Sequence, residues 1–411
     1  MSANHMTIRS RRWFLRLGAA WSAALVACRP KSAPPGGEPR ALGAAVSQYG
    51  SRSRFEKATR RLFTNTRVPL EEAASGTPLH DTYGIITPSS LHFERHHSGV
   101  PEIDPATHTL TMHGLVDRPL VFTVDELKRL PSVSRIHFLE CSGNSLSEWR
   151  GGSAEPDVQR IHGLTSCSEW TGVPVALLLR ECAVKPGATW MLAEGADACK
   201  MTRSIPMTKA MDDALVVYAQ NGEPLRPEQG YPIRLLLPGW EGNSNVKWLR
   251  RLKAMNAPAM SREETSKYTD LMPDGTARQF TFVMEPKSLI TRPSGGDTLA
   301  GPGLYEITGI AWSGRGTIAR VEITIDGGAT WQAAELQTPV LPRAHTRFRW
   351  PWKWDGGEAL IASRCTDDTG YTQPLLSDLI KVRGMNSNYH NNGIQMWKVA
   401  ADGTITNGNR A

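Results

Sequence analysis

The chain has 411 residues, 40% of them hydrophobic and 21% charged, which is the composition of a soluble globular protein large enough for two domains of ordinary size. The formal net charge of +7 falls to 7 − 4 = +3 when Arg9, Arg11, Arg12 and Arg16, which precede Cys28, are set aside. No Lys/Arg run is interleaved with aromatic residues, so the composition does not support a nucleic-acid partner.

The first 28 residues have the pattern of an export signal. The pair Arg11-Arg12 precedes the apolar run Leu17–Ala27, which is well below the roughly 20 residues that span a bilayer as a helix. Paired arginines before a weakly apolar core resemble twin-arginine signals, which predicts export to the periplasm. Leu25-Val26-Ala27-Cys28 resembles a lipobox, so lipid anchoring through Cys28 and simple cleavage both stay open.

Residues 29–79 are predicted to be a tether and N-terminal extension. The stretch Arg29–Pro39 is rich in Pro and Gly and has too few apolar residues to pack.

Residues 80–272 are predicted to form a mixed α+β domain. Thr123 and Glu126 have the spacing of a capping box, which predicts a short helix that runs to Leu130. A second helix is predicted over Val173–Cys182. The predicted strands are Thr109–Val116, Arg135–Leu139, Ala214–Tyr218 and Ile233–Leu237. These elements lack the regular βαβ rhythm of a doubly wound sheet.

Residues 273–384 have the pattern of strands only. The turn sequences Asp326-Gly327-Gly328 and Asp355-Gly356-Gly357 separate the strands at intervals typical of an immunoglobulin-like β-sandwich. The predicted strands are Phe280–Met284, Tyr305–Trp312, Ala319–Ile325, Arg347–Trp352 and Ala359–Thr366. Residues 385–411 are predicted to be a polar C-terminal tail.

The six cysteines are scattered, at positions 28, 141, 167, 182, 199 and 365. No C-x-x-C or C-x-x-C-H spacing occurs, so a c-type haem and a closed zinc site have no sequence support. Cys167, Cys182, Cys199 and Cys365 are interpreted as disulfide partners or buried thiols. Cys141 ends an apolar strand at Glu140-Cys141-Ser142-Gly143-Asn144, a setting that suits a soft metal ligand, an activated nucleophile or a buried structural thiol.

The segment Phe138–Asn144 resembles the cysteine segment of the sulfite oxidase family, and the resemblance covers nearly all of residues 90–383. It implies that molybdenum is held by Cys141 and by the dithiolene of molybdopterin, with one molybdenum per chain. Phe93-Glu94-Arg95-His96-His97 resembles the family's Phe-x-Arg-Asn-His segment. By that resemblance Arg95 faces the substrate oxyanion and, together with Phe93, Glu94, His96 and His97, helps to hold the pterin, with His96 in place of the family's Asn.

Further segments resemble other parts of the same cofactor site. Glu194-Gly195-Ala196-Asp197 implies that Asp197 contacts the pterin, and Gly230–Gly239 implies that Arg234 binds the cofactor phosphate. Gln229 and Asn245 stand where vertebrate members have His, and Asn245-Val246-Lys247 is assigned to the cofactor with them. Tyr268 is assigned to the catalytic site by its distance beyond Lys247.

The later segments also resemble this family. Val321–Trp331 and Asp367–Pro374 resemble its dimerisation domain, which implies a homodimer or, with a second subunit, a heterotetramer. Trp240–Asn243 and Asn388–Trp397 resemble the molybdenum subunit of bacterial sulfane dehydrogenases of the Sox system. That likeness implies a periplasmic enzyme without haem in this chain, which oxidises sulfane sulfur on a carrier protein, or sulfite, and passes electrons to a c-type cytochrome.

Two other classes of protein stay open. A zinc or Cys-His hydrolase could be built from Cys141 with His92, His96, His97 or His137. A non-enzymatic binding module could be built on the sandwich, although that would explain only the last third of the chain.

Overall fold

The computed structural model describes residues 43–63, 69–151 and 157–409. Residues 43–57 belong to one compact unit, in which they are exposed and carry no helix or strand, and residues from Ala58 onward belong to a second. The predicted export signal, Cys28 and the Pro/Gly-rich stretch lie outside the described residues. No helix in the described part of the chain is long and apolar enough to cross a membrane.

Strands are the main regular elements of the second unit. In chain order they are β1 Arg61–Phe63, β2 Ala74–Gly76, β3 Glu94–Arg95, β4 Thr109–Gly114, β5 Leu120–Thr123, β6 Val133–Glu140, β7 Thr165–Pro174, β8 Trp190–Gly195, β9 Thr202–Pro206, β10 Leu215–Gln220, β11 Glu223–Pro224, β12 Arg234–Leu236, β13 Leu249–Met255, β14 Asp270–Leu271, β15 Ala277–Arg278, β16 Lys287–Arg292, β17 Gly303–Trp312, β18 Ile318–Thr324, β19 Gln332–Ala333, β20 Glu335–Gln337, β21 Thr346–Trp354, β22 Ala359–Asp367, β23 Met396–Val399 and β24 Ile405–Asn407.

Helices are few and short. The α-helices of the described residues are α1 Val124–Arg129, α2 Val158–His162, α3 Val175–Glu181, α4 Met207–Asp212, α5 Arg262–Thr265 and α6 Leu376–Arg383. Single 3₁₀ turns lie at Leu70–Glu72, Leu79–Asp81, Ser89–Leu91, Leu146–Arg150, Pro227–Gln229 and Gly242–Ser244.

The predicted capping box is confirmed at the start of α1. The Thr123 side chain accepts a hydrogen bond from Glu126 N, and the Glu126 carboxylate accepts one from Thr123 N at 2.8 Å. These two bonds satisfy backbone donors that the first helical turn leaves without partners.

Two sheets form the mixed α+β half of the fold, as the sequence predicts. One has the order β11-β10-β7-β6 with β12 on β10, and the other has the order β5-β4-β13-β8-β9. In β4, buried and partly exposed residues alternate, so one face of that strand packs into the core. The core between these sheets is apolar and includes Leu110, Val173, Leu235 and Leu252. β6 and β12 lead towards the candidate site, and β13 leaves it.

The C-terminal half is the predicted β-sandwich. Its sheets have the orders β16-β17-β21-β20 and β19-β18-β22-β23-β24, and residues of both contribute to one core. Gly327, Gly328 and Gly356 have φ values of 73°, 100° and 93°, so the two predicted turns use backbone conformations that glycine adopts without strain. Phe138 and Cys167 from the first half pack into the same core. The domain boundary near residue 272 stays a prediction.

Two sandwich predictions are wrong. Phe280–Met284 is not a strand, because Phe280 and Phe282 have φ values of 52° and 43°, which lie in the left-handed region and break an extended chain. The first strand is β16 instead. Residues 376–383, expected to lie in a strands-only domain, form α6, with Asp378 in its first turn and Lys381 in its last turn, in accord with the helix dipole.

Both predicted terminal extensions are partly folded. Residues 385–411 are predicted to be a tail, but β23 pairs with β22 and β24 pairs with β23, so they extend a sandwich sheet. Trp397 is fully buried there, which anchors β23. Within the predicted tether, β1 and β2 pair with each other, and β2 pairs with β3. In both places the polar sequence predicted a segment without packed structure. The strands form there because pairing with a neighbouring strand satisfies their backbone hydrogen-bonding groups.

Candidate active site

One cavity brings together every residue that was assigned to the site from the sequence. It lies where the segment around β3, the turn after β6 and the loop before β13 meet. The predicted residues that line it are Phe93, Glu94, Arg95, His96, His97, Cys141, Asp197, Gln229, Arg234, Asn245, Val246, Lys247 and Tyr268.

Six further residues complete the wall: His92, Leu139, Met201, Gly242, Asn243 and Trp248. None of the six was assigned to cofactor binding from the sequence. His92 and Trp248 adjoin assigned residues, and Leu139 and Asn243 lie two positions from one, so extending each motif by one or two positions would have found most of the missed wall.

The segment from Phe93 to His97 is held in an extended conformation along β2. Ser75 and Ala74 pair with Glu94 and Arg95, and His96 N donates to Ala73 O at 3.2 Å. Because strand pairing fixes the backbone, side chains at alternate positions point to opposite sides.

Cys141 lies in the turn that follows β6. Cys141 N donates to Leu164 O, and Asn144 N donates to Cys141 O, both at 2.9 Å. Burial raises the pKa of the Cys141 thiol, whereas a hydrogen bond from the Gly143 backbone and the positive charge of Arg95 act in the opposite direction. Two groups beside the thiol therefore favour its thiolate form, which is the form that binds a metal.

Arg234 is a buried cation that has no counter-ion among the described residues. It is 3% exposed, and it donates to Asn245 O at 2.9 Å and to Gln229 O at 3.1 Å. Its Nε atom has no hydrogen-bond partner, and no carboxylate of the described residues lies within 4.0 Å of its guanidinium. Burial lowers the pKa of Arg234 to about 9.

Lys247 is a second cation of the wall, and it is half-buried. Its Nζ atom lies 2.8 Å from His96 Nδ1 and donates to Glu228 O and Arg95 O at 3.0 and 3.2 Å, but it forms no ion pair with the described residues. Burial and the nearby charge of Arg234 lower the pKa of Lys247 to about 7. Two uncompensated cations in one cavity indicate a site for an anionic group, because burying a charge without a partner is costly.

The two cations are brought close by Gly230. Its φ is 105°, and a Cβ atom there would lie 3.0 Å from Lys247 Cβ and 3.1 Å from Arg234 Cβ. A larger residue at this position would push the two loops apart.

Several polar residues of the wall are bound to the protein itself. Gln229 Nε2 donates to Phe93 O at 2.9 Å, and Asn245 Oδ1 accepts from Leu237 N. Asp197 accepts from Met201 N and from the Cys199 thiol, both at 3.0 Å. His96 contacts Glu94 at 2.9 Å with its second ring nitrogen. These side chains therefore shape the cavity more than they offer free donors to it.

Tyr268 and His97 form a neutral pair at the cavity. Tyr268 Oη lies 2.8 Å from His97 Nε2. Burial lowers the pKa of His97 to about 3, with a further contribution from Arg95, and burial raises the pKa of Tyr268. At neutral pH Tyr268 is thus a phenol that can donate a hydrogen bond.

Arg95 is the third cation of the wall. Its Nη1 atom donates to Glu72 O at 2.9 Å, and no carboxylate of the described residues forms an ion pair with it. The planar guanidinium keeps its charge near neutral pH and can bind an oxyanion with two donors.

The donor set fits molybdopterin with one metal. In the described part of the chain, no group of three His, Cys, Asp or Glu residues is placed to hold a metal ion. A metal at Cys141 would therefore need its other ligands from a cofactor. The zinc hydrolase alternative gains no such cluster from His92, His96, His97 or His137. The unpaired Arg234 and Lys247 suit the anionic part of a pterin cofactor.

The four other cysteines of the described residues are free thiols. Cys167, Cys182 and Cys365 are buried, and Cys199 is half-buried, and none of them forms a disulfide within the described residues. Burial raises the pKa of Cys167 to about 12, so it is an inert packing residue at neutral pH.

Two family models match the chain. The oxidoreductase molybdopterin binding domain matches residues 97–263, and the Mo-co oxidoreductase dimerisation domain matches residues 278–397. Among solved structures, the sulfane dehydrogenase SoxCD from Paracoccus pantotrophus is similar with a TM-score of 0.87 and 46% identity, over 90% of this chain and 95% of that chain.

Curated relatives are more distant and longer. NAD(P)H nitrate reductase of Hordeum vulgare is 33% identical over 71% of this chain and 37% of its own length. Mitochondrial sulfite oxidase of Rattus norvegicus is 30% identical over 75% of this chain and 61% of its own length. The chain thus matches less than two thirds of either relative.

Proposed function

Because the chain belongs to the sulfite oxidase family of molybdopterin oxidoreductases, we propose that it oxidises a reduced sulfur species, namely sulfane sulfur bound to a carrier protein. The observation that carries the proposal is its likeness to a sulfane dehydrogenase over nearly the full length of both chains. Free sulfite is the alternative substrate, and the rat sulfite oxidase supports it.

The cavity residues divide into two tasks under this proposal. Cys141 binds molybdenum, and Arg234 and Lys247 neutralise the cofactor phosphate, with Asp197, Gln229, Asn245, Val246 and the segment from Phe93 to His97 around the pterin. When bound, the cofactor supplies the two-electron oxidation and oxygen-atom transfer that no side chain can perform.

Arg95 and Tyr268 act on the substrate side. Arg95 binds and orients the negatively charged sulfur group, because its charge has no carboxylate partner among the described residues. Tyr268 donates a hydrogen bond as a neutral phenol, and His97 fixes the orientation of that hydroxyl group.

The electrons pass to a c-type cytochrome. Each oxygen atom that is added to sulfur derives from water and releases two protons and two electrons, so a pair of one-electron acceptors completes the balance. The twin-arginine pattern supports a periplasmic location, with Cys28 as a candidate lipid anchor. The match to a dimerisation domain supports a homodimer, or a heterotetramer with the cytochrome subunit.

The substrate is tested with protein from a strain that makes molybdopterin. Cytochrome c reduction is measured with sulfite, with a sulfur-carrier protein loaded with sulfane sulfur, and with the same carrier unloaded. We expect reduction with the loaded carrier well above the unloaded control. If sulfite alone reduces cytochrome c as fast as the loaded carrier does, free sulfite is favoured as the substrate. A protein that holds no molybdenum and does not reduce cytochrome c would contradict both substrates.

A further inference from the structure

Lys287, on the first strand of the sandwich, contacts the turn that carries Cys141. Its Nζ atom lies 3.1 Å from Glu140 Oε1 and 3.0 Å from Ser145 Oγ. Lys287 and Glu140 are each 1% exposed, and they lie 147 residues apart along the chain. The sandwich therefore supplies the counter-charge for the residue that immediately precedes Cys141.

A second sandwich residue binds the same carboxylate. Lys287 and Trp312 lie opposite each other in the antiparallel pair β16 and β17, so their side chains leave the same face of that sheet. Trp312 Nε1 donates to Glu140 Oε2 at 2.7 Å, and Asn144 Nδ2 donates to Oε1 at 2.9 Å. Three donors thus fix the Glu140 carboxylate in place.

These contacts also fix the turn itself. Ser145 has a φ of 61°, a left-handed conformation that is unfavourable for a non-glycine residue and persists where the surroundings hold it. Lys287 holds Ser145 through its hydroxyl group, and Glu140 holds Asn144 through its amide. Cys141 lies between Glu140 and Asn144, which this hydrogen bond joins.

Stability alone does not explain a buried ion pair. Well-packed uncharged residues of similar volume are often as stable, because both charges must be removed from water. Charges in the protein interior do, however, act strongly on a nearby group, since the surroundings screen them weakly. An unpaired charge at position 140 or 287 would therefore act on whatever Cys141 binds.

We propose that Glu140 and Lys287 are positioning residues for Cys141, a neutralised pair that fixes the sulfur atom and keeps the net charge behind it near zero. The proposal rests on the proposed function, in which Cys141 binds molybdenum. Removing one charge should then change the midpoint potential of the bound metal, and removing both should not.

Glu140→Gln, Lys287→Met and the double variant test this. Molybdenum content is measured by elemental analysis, and the midpoint potential by redox titration followed by electron paramagnetic resonance. Glu140→Gln leaves a positive charge and should raise the potential, whereas Lys287→Met leaves a negative charge and should lower it. The double variant should return to the wild-type value, since no charge remains behind the sulfur atom and the introduced amide oxygen still accepts a hydrogen bond.

Ile323→Ala is the matched control for general weakening of the sandwich. Ile323 is 1% exposed on β18, which pairs with β19 and β22. It should lower the melting temperature and leave the potential and the molybdenum content per folded chain unchanged.

Unchanged potentials, or shifts of the same sign in both single variants, would overturn the proposal. If the single variants fail to fold or to hold molybdenum, recovery of molybdenum in the double variant supports the proposal and its absence overturns it. Wild-type protein without molybdenum would instead contradict the proposed function.

Discussion

Behind the cavity, Arg203 pairs with Glu241 at 3.0 Å and with Glu264 at 3.1 Å, whereas inside the cavity Arg234 and Lys247 form no ion pair with any described carboxylate. Four of these five residues are buried, and Lys247 is half-buried. The same polypeptide thus neutralises buried charge in one region and leaves it without a counter-ion in the adjacent one.

The paired region extends to the C-terminal segment. Burial alone would lower the pKa of His390, but Glu241 at 3.1 Å and Glu285 at 3.4 Å outweigh it and raise that pKa to about 9. Burial would likewise raise the pKa of Glu241, but Arg203 and His390 hold it at about 2. The paired charges build a rigid support, and the unpaired ones are suited to an anionic ligand that supplies the missing charge.

The largest effect is expected at Cys141, the proposed metal ligand. Cys141→Ser should lower turnover by at least about 10,000-fold, or about 5.5 kcal/mol, because serine does not supply a thiolate. The melting temperature of the cofactor-free protein should stay close to that of the wild type, since the change conserves volume. Turnover near the wild-type value would refute the role of Cys141.

The paired region should respond in stability. Arg203→Met leaves Glu241 and Glu264 buried with less positive charge and should lower the free energy of unfolding of the cofactor-free protein by about 3–5 kcal/mol. Arg349→Met, which breaks the exposed pair with Glu335, is the control and should cost about 0–1 kcal/mol. Urea unfolding measures the free energy of unfolding of both variants. Equal losses would show that the buried pairs of Arg203 stabilise the fold no more than the exposed pair of Arg349 does.

Arg95 lies in the unpaired region, and its loss should affect catalysis. Arg95→Gln should lower kcat/KM by about 100-fold, or about 2.7 kcal/mol, because the oxyanion loses a charged two-donor partner. Molybdenum content should not change. A loss of metal in proportion to the loss of activity would show that Arg95 serves the cofactor and not the substrate.

Lys247 should give a stability change of the opposite sign to that of Arg203. At pH 6, Lys247→Met should raise the free energy of unfolding of the cofactor-free protein by about 1–3 kcal/mol, because it removes a charge that forms no ion pair with the described residues. The carbonyl oxygens of Arg95 and Glu228, which lose the ammonium group as donor, can bind water in the cavity instead. A loss of stability at that pH would show that the charge is compensated.

The pH dependence of this change has a defined direction. The folded-state pKa of Lys247, about 7, lies below its ordinary value of 10.5, so between these values the unfolded chain binds more protons and stability rises with pH. The advantage of Lys247→Met should therefore be largest below pH 7 and shrink above it, by at most about 1.4 kcal/mol per pH unit. A constant difference from pH 6 to 9 would contradict the lowered pKa.

Much of the site was predictable because its residues occur in short contiguous motifs. Phe93–His97 and Asn245–Lys247 lie on single segments, and the structure places each in the wall of one cavity. The capping box at Thr123 was predictable for the same reason, since its partners are three residues apart. What sequence reasoning could not supply is the charge balance, because burial of Arg234 depends on packing from several strands.

The missed features depend on distant partners. Lys287 looks like a surface cation at the start of a strand, and its partner Glu140 lies in the other half of the chain. The polar segment before β23 resembles a tail in the sequence because the side-chain amides of Asn391 and Asn392 donate to Ser145 O and Pro286 O, which lie far away along the chain. Neither relation leaves a periodic signal in the sequence.

The central claim is that the Cys141 sulfur binds molybdenum inside this cavity. X-ray absorption at the molybdenum edge of the purified protein and of Cys141→Ser counts the sulfur neighbours of the metal directly. We expect the variant to have one sulfur neighbour fewer than the wild type. An equal number in both proteins, or wild-type protein that holds no molybdenum when made in a strain with molybdopterin, would contradict the claim.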